Sequence, residues 1–205
     1  MDSKPKLSVT VYSDYICPFC YVGDARLARL QDEFDLQADW RGLEIHPDNP
    51  PQGRPLSELG YPPALWRQMM DNLDQMAREE GLHFAERTFT TNSHQALLLA
   101  EAAKDASAQQ FAALHQRLFA AYFVERQNIG QPEVLRAIAV EAGLAEALVQ
   151  RAWSDARYEE RLRQNWRDAS RLGISGTPAF IIGEEIISGA APVAMLREAA
   201  WRTQK

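Results

Sequence analysis

The amino-acid sequence predicts an α/β protein with a βαβ unit at its start, a ββα unit at its end and an all-helical block between them. Three observations carry this. Residues 7–12 read Leu-Ser-Val-Thr-Val-Tyr, a period-2 alternation, and Cys20, Gly23, Leu27, Leu30 and Phe34 then follow at spacings of 3, 4, 3 and 4. From residue 63 to 172 the apolar pattern is helical almost throughout. After Gly173, two short apolar runs separated by a glycine return, ahead of one last helical stripe.

Taken in order, the first strand leads straight into a helix that begins near Cys17, where Pro18 suits a first turn in which the missing N–H costs nothing. Leu36, Ala38 and Trp40 alternate, and the phase shifts across Gly42 to Leu43 and Ile45, which predicts a second strand with a bulge or bend at the glycine. The Pro- and Gly-dense stretch 46–63 reads as a long irregular connection.

In the helical block, Leu65, Met69, Leu73 and Met76 form one stripe stopped by Gly81, and Asn92 or Ser93 caps a helix bearing Ala96, Leu97, Ala100 and Ala103. Phe111, Leu114, Leu118 and Tyr122 mark a third helix, and Pro132 opens a fourth with Leu135 and Ile138, stopped at Gly143. A short helix over 145–151 precedes a longer one over 155–172, with Leu162, Trp166 and Ala169 facing inward. The strands Phe180–Ile182 and Ile186–Ser188 turn at Gly183 into an antiparallel hairpin, and Pro192 starts a last helix with Val193, Leu196 and Ala200 inward. The expected division is residues 1–62 with 173–205 as one domain, and 63–172 as a helical insertion.

With 205 residues and 46% hydrophobic content the chain can bury a real core. Its net charge of −6, without a run of Lys or Arg, argues against nucleic acid or an anionic membrane as partner. Residues 1–6 are polar and lead directly into the first strand, which predicts a cytoplasmic protein rather than a secreted or membrane-spanning one.

The only two cysteines, Cys17 and Cys20, form a C-x-x-C pair at the strand-to-helix turn. Cys17 is placed at the helix N-terminus, where free N–H groups and the positive dipole end favour a thiolate; Cys20 sits one turn in, on the core stripe. Dithiol exchange needs that asymmetry: an accessible, acidified attacking sulfur and a sheltered resolving one. A structural zinc site is the weaker reading, because four ligands are needed, no third cysteine exists, and His46, His83, His94 and His115 are scattered. A structural disulfide is weaker too, because so short a loop gains little from closure. No metal is expected.

Other features have plain readings beside sharper ones. Met69, Met70 and Met76 could line a groove but read first as core. His94 reads as exposed or capping, and Glu79, Glu80 and the run 159–161 as a solvated face. Asp14, three residues before Cys17, either caps the helix or accepts a proton through water, with capping or another structural role favoured.

This order of elements, with Cys-Pro-Phe-Cys at the first helix, resembles the thioredoxin fold, and the helical insertion makes it similar to the DsbA family. The stretches SDYICPFCYVG at 13–23, LFAAYF at 118–123, GISGTPAFII at 173–182 and SGAAP at 188–192 resemble its FrnE-like branch of predicted dithiol–disulfide isomerases. The resemblance spans nearly the whole chain. It implies that Cys17 attacks, that Cys20 resolves, and that Thr177–Pro178 is the cis-proline segment, whose backbone groups pair with an extended substrate. Pro18 and Phe19 support the pair. Where the oxidase DsbA has Pro-His between its cysteines, this chain has Pro-Phe, so Phe19 offers no positive ring to a thiolate and a milder oxidant is expected. A related group of glutathione-dependent isomerases, including 2-hydroxychromene-2-carboxylate isomerase, typically has serine at the first position, where this chain has Cys17.

The reading is a cytoplasmic thiol–disulfide oxidoreductase or isomerase acting on protein or small-thiol substrates. No cofactor is expected to be tightly bound, and glutathione is a possible co-substrate; glutathione or a reductase would recycle the pair in a monomer or dimer. The rivals are a glutathione-dependent small-molecule isomerase, which would keep full activity as Cys20→Ser, and a chaperone-like binding module, which would survive loss of both cysteines.

Overall fold

A computed structural model describes residues 4–204, so residues 1–3 of the polar opening lie outside the described residues. Strand β1 (Lys6–Ser13) lies between a parallel partner, β2 (Asp35–Gly42), and an antiparallel one, β5 (Ala179–Ile182), with β6 (Glu185–Ser188) at the far edge. The parallel register pairs Lys6 with Asp35 and Ser13 with Gly42; on the other side Val9 pairs with Ile182 and Tyr12 with Ala179. β5 and β6 form the antiparallel hairpin, turning at Gly183, whose φ of +60° suits a residue without Cβ.

Helix α1 (Pro18–Ala28) begins with the proline at its first position and runs into a 3-10 turn, Arg29–Asp32. The predicted stripe therefore spans a helix and a tighter turn, though Leu27, Leu30 and Phe34 are all buried. With Leu7, Val9, Val11, Phe180 and Ile182 they make a core on one sheet face, shared with Leu196, Ala199 and Ala200 of α8 (Val193–Arg202). Pro192 sits just before α8 as its cap.

The intervening helices are α2 (Pro63–Glu80), α3 (His94–Ala103), α4 (Ala108–Phe123), α5 (Pro132–Glu141), α6 (Glu146–Ser154) and α7 (Ala156–Arg171). Their apolar stripes, including Leu97, Leu114, Leu118, Phe119, Ile138 and Leu162, form a second core. Tyr15, Ile16, Cys17 and Cys20 belong to that second core. The cysteine turn and Tyr21 are thus packed into the helical block, Val22 lies with Leu73 of α2, and Leu27 near the end of α1 is packed on the sheet.

Several expectations are corrected. The second strand ends at Gly42: beyond it the Leu43 N–H donates to Ser13 C=O at 3.0 Å, and the Ile45 N–H goes to the Asp14 carboxylate at 2.8 Å. The connection 46–62 is partly ordered. Arg54–Pro55 (β3) pairs with Phe89–Thr90 (β4), a 3-10 turn covers Leu56–Leu59, and Asn49 donates to Thr90 Oγ1 and Thr91 C=O. Leu65 is exposed, the buried face of α2 being Leu73 and Ala77 with Met70 and Met76 beside them. Trp166 is 62% exposed, and Asn165 is the inward residue between Leu162 and Ala169. Both choices satisfy helical spacing from Leu162, and the buried Glu101 carboxylate selects asparagine, whose amide donates to it at 3.2 Å.

Glu79 is half-exposed, in keeping with a solvated face, but the Glu80 side chain is buried. Arg26 of α1 donates to Glu79 at 2.7 Å, to Glu80 at 2.9 Å and to Ala190 C=O at 2.6 Å, and the Arg26 and Glu80 side chains are 4% and 6% exposed. That ion pair ties α1 to α2.

Candidate functional site

The site begins where β1 ends. Asp14 turns the chain: its carboxylate accepts from the Ile16 N–H at 3.2 Å and the Ile45 N–H at 2.8 Å, and its backbone C=O accepts from the Cys17 N–H at 3.1 Å. It therefore fastens the turn to the chain after β2 and is not the cap of α1, a position held by Cys17 itself. Asp14 is 1% exposed, and burial pushes its carboxyl up to about 6, against the N–H groups and the Ser93 hydroxyl that favour the carboxylate.

Cys17 and Cys20 are free thiols on the first turn of α1. The Cys17 pKa is lowered, first by its hydrogen bond with the Cys20 thiol, then by the Thr177 hydroxyl and the Cys20 backbone N–H, with burial opposing. The Cys20 pKa is raised, chiefly by burial and then by Cys17. One sulfur is thus shifted toward the thiolate at the other's expense. The Asp14 backbone N–H donates to Cys20 Sγ at 3.4 Å. Phe19 is half-buried against both neighbouring clusters and contributes bulk, not charge.

Thr177 and Pro178 arrive from the other end of the chain. The Thr177–Pro178 peptide is cis, and the Thr177 C=O faces Cys17 Sγ at 3.5 Å. Gly23, one turn beyond Cys20, makes this approach possible. A Cβ there would stand 3.0 Å from Phe180 Cζ and 3.1 Å from Pro178 Cγ.

Cys17 is 4% exposed, so it is less accessible than its place at a turn predicts. What it reaches is a cavity of about 580 Å³ whose lining includes Cys17, Pro18, Phe19, Thr177, Leu56, Tyr61, Trp66, Met69, Met70, Arg87, Tyr122 and Trp166. The walls combine the α1 turn, the ordered connection after β2, the helical block and the stretch 174–177 before β5. Met69 and Met70 thus line the cavity, and Met70 also packs beside Leu73. Arg87, Trp66 and Tyr122 had no signal assigning them a role, because segment 81–93 has no period and the aromatics sit on ordinary helical stripes.

His94 is not brought to the cysteines. Its ring bridges Glu44 at 3.1 Å and Glu159 at 2.9 Å, and the Glu44 hydrogen bond leads in raising its pKa. Among the described residues no group of three His, Cys, Asp or Glu side chains is arranged to hold a metal ion, and no helix is long and apolar enough to cross a membrane.

Residues 8–200 match the model of the DSBA-like thioredoxin domain family. The uncharacterized protein YwbO of Bacillus subtilis is 29% identical over 198 residues, covering 96% of this chain and 97% of that one. A crystal structure described as a probable DsbA oxidoreductase from Streptomyces coelicolor superposes with a TM-score of 0.84 at 27% identity, covering 97% of this chain and 90% of the other. The cytosolic disulfide reductase DsbM from Pseudomonas aeruginosa, in a structure with GSH, shares the fold at 20% identity and a TM-score of 0.68, covering 97% and 95%.

Proposed function

The chain belongs to the DSBA-like thioredoxin domain family, and from that premise we propose that it exchanges disulfides with protein or small-thiol substrates through Cys17 and Cys20. The observation that carries the reading is the asymmetric pair: a Cys17 sulfur with lowered pKa, opening on a cavity beside Thr177, with Cys20 buried one turn behind it.

In the reducing direction, the Cys17 thiolate attacks one sulfur of the substrate disulfide. The Cys17–substrate disulfide forms, the substrate S–S bond breaks, and the other half leaves as a thiolate that takes a proton from water. Cys20 then gives up its proton and attacks the Cys17 sulfur, expelling the second thiolate. Two electrons pass from the dithiol to the substrate. The oxidising direction is the same sequence reversed.

Thr177 and Pro178 bind the substrate beside Cys17, with the Thr177 hydroxyl lowering the pKa of both sulfurs. Pro18 and Phe19 shape the turn, and Asp14 holds it. Glutathione is proposed as co-substrate and the cytoplasm as the setting, both supported by the neighbour named a cytosolic disulfide reductase and described with GSH. The isomerase alternative has no use for a buried second thiol. Protein-disulfide exchange is the enzymatic activity proposed.

The test is a trap. Cys20→Ser should accumulate a Cys17-linked mixed disulfide with oxidised glutathione or reduced-and-reoxidised insulin, visible in the intact mass, and lose turnover. A Cys20→Ser protein that forms no adduct, or that keeps full turnover, contradicts the reading.

A further inference from the structure

The charged side chains on the cavity wall are unequal. Glu44 pairs with His94, and His46 has its pKa lowered by burial and by Arg54. Arg87 stands apart. Its guanidinium donates to the Met70 sulfur at 3.7 Å and lies with Cζ 5.6 Å from the centre of the Phe123 ring. No carboxylate forms an ion pair with it among the described residues, and Asp74 acts on it only through its field. Burial lowers its pKa, so the charge is held at a cost that the ring and the sulfur offset in part. Cys17 also lies within reach of its field.

An arginine presents several N–H donors in a planar fork suited to a carboxylate, and a half-buried one on a cavity wall with no carboxylate partner among the described residues is an unfilled receptor for an anion. The cavity, at about 580 Å³, lies in the range of small-molecule sites and is walled by Phe19, Leu56, Trp66, Met69 and Tyr122. Cys17, itself 4% exposed, lines this cavity, so a small molecule held there meets the sulfur directly.

We propose that Arg87 is the anion receptor of the Cys17 cavity, and that the preferred substrate is a small, largely apolar disulfide or thiol carrying a carboxylate. This rests on the dithiol-exchange reading and adds its substrate class. The carboxylate pairs with Arg87 and the apolar body lies on the aromatic wall. The Cys17 thiolate then attacks the adjacent S–S bond and releases the other half as a thiolate, as in the general sequence. Cys20 completes the two-electron reduction.

The experiment compares two aromatic disulfides with the reduced protein by stopped flow: dithiobis(nitrobenzoate), which carries carboxylates, and dithiodipyridine, which carries none. Arg87→Met should slow the anionic reagent about 10- to 100-fold more than the neutral one, with Arg87→Lys recovering part of the difference. Any change in Cys17 reactivity itself moves both reagents together, so the ratio isolates recognition. Equal rate changes for both reagents overturn the proposal while leaving dithiol exchange standing. A wild-type protein that reacts with neither overturns both. On the wild type alone, naphthoate should protect Cys17 from iodoacetamide at concentrations where naphthamide does not. Equal protection by the two overturns the proposal even if the variants fail to fold.

Discussion

Asp14 and Cys20 are joined through the backbone: the Asp14 N–H donates to the Cys20 sulfur at 3.4 Å, while the Asp14 carboxylate is taken up by the Ile16 and Ile45 N–H groups. The peptide unit supports the Cys20 sulfur, and the side chain supports the turn.

A buried carboxyl at about 6, against 3.8 for the free group, makes stability depend on pH. The folded-state value is raised, so the protonated form is favoured by folding. The contribution is fully present below about pH 4 and is lost as pH rises through about 6, amounting to about 3 kcal/mol. Asp14→Asn should remove this dependence, so that the difference between wild-type and variant unfolding free energies shifts in the variant's favour between about pH 4 and pH 7. Urea midpoints at both pH values check it, and a constant difference contradicts it. Resolution of a mixed disulfide should stay within about threefold of wild type, since a proton-accepting role would cost about 100-fold or more.

The Cys20 thiol leads the causes that lower the Cys17 pKa. Cys20→Ala should therefore raise it, which the pH dependence of iodoacetamide alkylation measures directly. An unchanged profile would assign the acidification to the helix terminus and Thr177 alone.

Gly23 stands against Pro178 and Phe180, and a methyl group there would press on both at 3.0–3.1 Å. Gly23→Ala should cost about 1–3 kcal/mol by overpacking, and should slow exchange by displacing Pro178 from the cysteines. Unfolding free energy and turnover are measured together; an unchanged value of both would mean that α1 moves without consequence.

Arg26 is buried with Glu80. Arg26→Met should cost about 3 kcal/mol because it strands a buried carboxylate, although Arg29 still reaches Glu80 at 2.9 Å. Pairing it with Glu80→Leu should restore most of the loss, since two apolar side chains remove the unpaired charge. Denaturant midpoints decide it, and a double variant no better than the single one contradicts the account.

The parts of the fold and site that were legible in the sequence are those written in short-range pattern. Alternation gave away β1, the 3-4 spacing beyond Cys17 marked α1, and Gly183 between two apolar runs marked the final hairpin. Cys17 and Thr177, 160 residues apart, could be related only through resemblance, because nothing local records that β5 lies beside β1. Helical spacing admits both Trp166 and Asn165 as the inward residue, and the choice is made by Glu101 on another helix. Arg26 and Glu80 carry charges that read as surface until α1 and α2 are seen together. Arg87 lies in a stretch without period, and its cavity exists only once four separate segments have converged.

The measurement closest to the central claim is the redox equilibrium of Cys17 and Cys20 in graded glutathione buffers, with Cys17 alkylation followed across pH. A reversible two-electron transition, together with a Cys17 pKa below the ordinary thiol range, is the result expected of a dithiol-exchange enzyme. No transition, with Cys17 titrating as a free thiol does, would contradict it.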